Sequence, residues 1–129
     1  MKKVAWTLFF IIGVMLFIAP FSHAEDYKAK YERQLIVNRG MAATDAMILI
    51  WFKKHQDYKK YPSIVDKVKY LYSELQKAKE AHQKAKESAK QGLWKRAYGW
   101  AQKEWEHLNN IAVKGKKAQD NLKELESEK

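Results

Sequence analysis

The stretch IVDKVKYLYSELQKAKEAHQKAKESAKQGLWKRAYGWAQKEWEHLNNIAVKGKKAQDNLKEL, residues 64–125, decides the fold. Apolar or small residues stand at Ile64, Val68, Leu71, Leu75, Ala78, Ala85 and Ala89, with His82 as the one polar member, in alternating steps of four and three. That spacing sets a single seam along one side of an α-helix. After Gln91-Gly92 the rhythm resumes at Trp94, Tyr98, Ala101, Trp105, Leu108, Ala112 and Gly115, then drifts through Ala118, Leu122 and Leu125. Two such seams joined by a tight turn predict a long helical hairpin of the antiparallel coiled-coil kind. Gly92 is the expected stop, a C-terminal glycine in the left-handed conformation.

Working outward, Pro62-Ser63 opens the second helix, with Ser63 expected as N-cap and Asp66 as its capping-box partner. Upstream, Tyr27, Tyr31, Leu35, Ala42, Ala46 and Leu49 recur at helical spacing and predict a first helix over about 26–60. Asn38-Arg39-Gly40 is a candidate break in it, because an interior glycine costs about 1 kcal/mol. The second and third helices are expected over 64–91 and 93–126. The fold class is therefore all-α: an antiparallel three-helix bundle built on the hairpin.

Met1-Lys2-Lys3, the nearly unbroken apolar run Val4 to Ala19, and the small-x-small ending Ser22-His23-Ala24 together read as a secretory signal peptide cleaved after Ala24. An uncleaved membrane anchor is the alternative. The expected organisation is a signal peptide over 1–24 and one helical domain over 25–129, exported to a bacterial periplasm.

Lys and Arg number 25 against 15 Asp and Glu. Removing Lys2 and Lys3 leaves 23 against 15, a net charge of +8 on the mature part. Only Arg33, Arg39 and Arg96 are arginines. A lysine-dominated surface attracts anions as solvated point charges and lacks the planar forks that read phosphate specifically. The absence of cysteine excludes disulfides, thiol nucleophiles, thiolate metal sites and lipoprotein anchors.

The turn Lys90-Gln91-Gly92-Leu93-Trp94-Lys95-Arg96-Ala97 resembles the inter-helix turn of a tetratricopeptide repeat, where a glycine is followed five residues later by a packed alanine. The helices are twice that family's length and no second copy follows at a spacing near 34, so no peptide-binding residues are carried over. In size and export signal only, the hairpin is similar to small basic periplasmic helical chaperones of the Skp and Spy kind, although it has no LTxxQ motif. That resemblance implies a holdase as an alternative function.

Met47 to Phe52 is apolar without interruption, and a helix apolar on all sides needs cover. Ile50 and Trp51, together with Trp100 off the third-helix seam, are the candidate docking residues for a partner. Lys53, Lys54, Lys59 and Lys60 form an adjoining basic cluster that also suits the end of a helix dipole. His82 is expected to set register near Ala101, Gln102 and Trp105. Asp45 is expected at the rim or paired with a cation. His55, His82 and His107 show no metal-ligand spacing, and no carboxylate pair is placed for acid–base work. The expectation is a non-enzymatic binding protein without cofactor or metal: an accessory or adaptor subunit whose partner is another envelope protein. Anionic lipid, glycan, nucleic acid or a second copy are further candidates.

Overall fold

The computed structural model describes residues 26–128; the expected signal segment lies outside them. Among the described residues the chain is all-helical: α1 (Tyr27–Lys54), a 3-10 turn (Gln56–Lys60), α2 (Pro62–Lys90) and α3 (Trp94–Ser127). No strand occurs among them. At 1.5 Å per residue the helices are about 42, 44 and 51 Å long.

Each boundary has a local cause. Asp26 caps α1, its Oδ1 accepting from the Ala29 N–H at 3.2 Å. Lys53 and Lys54 occupy the last turn, where cations suit the negative helix end. The first helix thus stops at Lys54, short of the expected 60, and Gln56–Lys60 forms a separate 3-10 turn. Tyr61 is extended (φ −116°, ψ 100°), as a residue before proline must be. Pro62 takes the first helical position, so Tyr61 and not Ser63 is the N-cap, and the capping box expected from Ser63 and Asp66 does not form.

Gly40 does not break α1. The residues after it pack on α3, and that burial outweighs the roughly 1 kcal/mol cost of an interior glycine. Gly92 ends α2 as expected, with φ +75°. The Leu93 N–H bonds to the Ser88 carbonyl at 2.9 Å and the Gly92 N–H to that of Ala89 at 3.0 Å. These are the paired bonds of a Schellman turn.

α2 and α3 pack along their length, and α1 packs against α3. Tyr31 meets Trp94 and Ile48 faces Gly115, so α1 runs parallel to α3, while His82 and Glu104 mark the antiparallel register of α2. The buried line of α3 is Ala97, Ala101, Glu104, Leu108, Ile111, Gly115, Ala118 and Leu122. This corrects the expected seam at Trp94, Tyr98, Trp105 and Ala112, which are only partly buried. The small residues occupy the line of closest helix approach, and the bulky rings cover its flanks. On α2, Glu74, Ala81 and Ser88 are buried, whereas Leu75, His82 and Ala89 are half-buried beside them.

Apolar burial falls into two clusters. The lower one joins Ile48, Leu49 and Phe52 of α1 to Ile64, Val68 and Leu71 of α2 and Ile111, Ala118 and Leu122 of α3. The upper one is thin, made of Tyr31, Ala85, Ala97 and Ala101 with Leu35, Trp94, Tyr98 and Trp100 against it.

Candidate binding groove between α1 and α2

Between the two clusters the interior carries polar side chains beside Ala78, Ala81 and Leu108. Gln34, Asn38 and Asp45 are all buried on the α3-facing side of α1. Asn38 Nδ2 donates to the Ala101 carbonyl and to Glu104 Oε1, both at 2.9 Å, and its Oδ1 accepts from Gln34 Nε2 at 3.0 Å. Glu104 also meets His82 Nδ1, 3.1 Å from Oε2 and 3.2 Å from Oε1. One carboxylate therefore ties all three helices together. Burial, followed by the nearby Glu104 charge, raises the Tyr31 phenol above its ordinary range.

A second pair lies deeper along α2, where Glu74 bonds to His107 Nδ1. Burial alone pushes the Glu74 carboxyl up, but hydrogen bonds from His107 and Tyr70 outweigh it and hold it below the usual range. Asp45 differs from both. It is 1% exposed, neither carboxylate oxygen has a hydrogen-bond partner among the described residues, and burial raises its pKa to about 7. This corrects its expected place at the rim or in a charge pair.

α1 and α2 both lean on α3 and come close to one another little beyond the lower cluster, which leaves a groove of about 770 Å³ between them. Tyr31, Leu35, Asn38, Arg39 and Ala42 form one wall, and Leu75, Ala78, Lys79, His82, Gln83 and Lys86 form the other. Glu104 and Leu108 rise from α3 as the floor. The walls span about three helical turns and are mainly apolar low down, with Arg39, Lys79 and Lys86 as the cations along them. Glu104, the one carboxylate in the lining, is already engaged by Asn38 and His82.

The His82–Glu104 pair has the form of a base with its orienting acceptor, and leaves the second imidazole nitrogen available. Tyr31 is the one hydroxyl in the lining, and burial raises its pKa above the ordinary phenol value. The groove suits hydrogen bonding and apolar contact. Among the described residues no cluster of three or more His, Asp or Glu side chains is arranged to hold a metal.

The other sequence-derived candidates are scattered. His82 is half-exposed at the groove wall and not sealed in the seam. Trp51 stacks on His55 at 3.9 Å between centroids, meets Phe52 edge-on, and carries Lys123 over its ring. Trp100 packs against the upper cluster, and Lys84 of α2 and Lys103 lie 4.4 and 5.0 Å from its ring centre. Lys53 and Lys54 are exposed in the last turn of α1 and Lys59 and Lys60 just beyond it, with Lys60 3.7 Å from Asp57. Ile50 belongs to an uncovered face of α1 with Ile36 and Met47; the three are 49, 68 and 73% exposed.

The groove itself was missed in the sequence. Its signal was Gln34, Asn38 and Asp45, polar residues four and seven apart on one helix stripe, opposite Glu104 at a seam step of the third helix. α1 is also long and apolar enough to cross a membrane by length and composition. It is compatible with a membrane anchor on that ground alone. No family model, curated protein or solved structure matches this chain.

Proposed function

We propose that this chain is an exported, non-enzymatic binding protein, an accessory or adaptor subunit of a cell-envelope assembly. Its three-helix bundle receives a helical segment of a partner protein in the α1–α2 groove. The observation that carries this reading is the sparse contact between α1 and α2 above the lower cluster, which leaves one side of the helix set open over about three turns. A fourth helix laid there would cover Leu35, Ala42 and Leu75, in the manner of an amphipathic helix in an apolar groove. Arg39, Lys79 and Lys86 favour a partner helix with acidic edges. The apolar run Val4 to Ala19 and the small-x-small ending at Ala24 support export.

A photo-reactive residue at Gln83, on the groove wall, tests this in the native envelope. One recurrent cross-linked protein, lost in Ala42→Phe where the new ring fills the groove, is the expected result. A broad spread of unfolded envelope proteins would replace the adaptor by a holdase. Cross-links to no protein at all would turn the assignment to an anionic polymer or surface.

A further inference from the structure

α1 carries a second uncovered surface on the side away from α3. Ile36, Met47 and Ile50 stand along one line of the helix with Ala43 exposed between them, a stripe about 21 Å long at 1.5 Å per residue. Nothing among the described residues packs over it. The solvent-accessible charges beside it, from Arg33 to Lys54, have one sign. From Arg33 to Gln56 the single carboxylate is Asp45, which is buried on the opposite side of the helix. The solvent-accessible charges of that segment are therefore Arg33, Arg39, Lys53 and Lys54; in the following turn Lys59 adds a cation and Lys60 pairs with Asp57 at 3.7 Å. Glu32 closes the stripe at its N-terminal end.

We propose that this face of α1 seats the protein on an anionic lipid surface, with Ile36, Met47 and Ile50 in the acyl boundary and the flanking cations among the headgroups. The inference does not depend on the groove. An aliphatic stripe flanked by long basic side chains is the pattern of a helix that lies in a membrane interface. A second copy is the poorer occupant, because pairing would bring two faces of like charge together. A protein partner is also poorer: the surface is convex and lacks the aromatic anchors and pockets on which protein interfaces depend.

The helix lies on the bilayer and does not cross it. α1 packs side by side with α3, so a spanning α1 would carry α3 inward with it. α3 bears Lys103, Glu106, Lys114, Lys116, Lys117 and Asp120 along its middle, and each charge at a bilayer centre costs about 2.5–3.5 kcal/mol.

The absence of native cysteine makes the test position-specific. Full-length protein is made as single variants Ile36→Cys, Met47→Cys, Ile50→Cys and, as a control on the outer face of α3, Val113→Cys. Each is labelled with a polarity-sensitive fluorophore and titrated with phosphatidylglycerol vesicles. The three stripe positions should shift to the blue and Val113 should not, with the response reduced in phosphatidylcholine vesicles or at high salt. Adding Met47→Glu to the Ile50 probe should raise the lipid needed for a half-maximal shift about tenfold. Protein that floats with vesicles while the stripe probes remain in water, as it would if only the N-terminal apolar run bound lipid, overturns the inference. A shift that needs no lipid and grows with protein concentration also overturns it, in favour of a second copy.

Discussion

Gly115 of α3 passes so close to Ile48 of α1 that a Cβ on it would stand 2.7 Å from the Ile48 Cγ2 and 3.6 Å from the Leu71 Cδ1. Ile48 is β-branched and buried, so it has little freedom to retreat. Gly115→Ala should therefore destabilise the fold by about 1–2 kcal/mol after allowing for its better helix propensity. A Cβ at Gly40 or Gly99 meets nothing within 4 Å. There alanine should stabilise by about 0.5–1 kcal/mol. Urea titration of the three variants separates close packing from simple helix propensity.

Asp45 gives a pH dependence of known sign. Its folded pKa is raised to about 7 from 3.8, so the folded state holds the proton more tightly than the unfolded chain does. Its contribution is most favourable below the unfolded value and is lost as pH rises toward and through 7. Asp45→Asn should raise stability by about 1–3 kcal/mol at pH 8, where it removes the buried charge, and change little at pH 4, where the folded carboxyl is already protonated. Thermal melts of both proteins across that range check it.

Glu74 behaves in the opposite way. Its folded pKa lies below the ordinary value, so its stabilisation is present above the unfolded pKa and disappears as pH falls through the folded one. Glu74→Gln should cost about 1.5–3 kcal/mol at neutral pH through the weakened bond to His107. The difference from wild type should vanish in strong acid. A deficit that persists unchanged there would assign the loss to packing.

Trp51→Ala and Trp100→Ala should each lose about 1–3 kcal/mol of stability, because both rings cover core clusters. An undiminished melting temperature would return them to the role of free docking anchors.

Much of the helix pattern was legible, because the four-three rhythm and Gly92 are local signals. Ala101, Leu108, Gly115, Ala118 and Leu122 fell where the rhythm placed them. Trp94, Tyr98 and Trp105 did not, since hydrophobicity marks burial without distinguishing the closest line from its flanks. Ser63 lost the cap to Tyr61 because Pro62 fits the first helical position at no cost in hydrogen bonds. The groove depends on which pairs of helices touch, and no periodicity within one helix encodes that. Asp45 was misplaced for a related reason: a charged residue is rarely buried without a partner, and only tertiary packing reveals this exception.

The polar belt of Asn38, Glu104 and His82 separates the aliphatic end of the molecule from the alanine-rich end. The two ends thus have unequal cohesion and share few apolar contacts across the belt. Amide hydrogens of α1 near Tyr31 should exchange sooner than those near Phe52, in openings smaller than global unfolding. The molecule is firm at one end and able to yield at the other, and the yielding end is where an incoming helix would need the groove to widen.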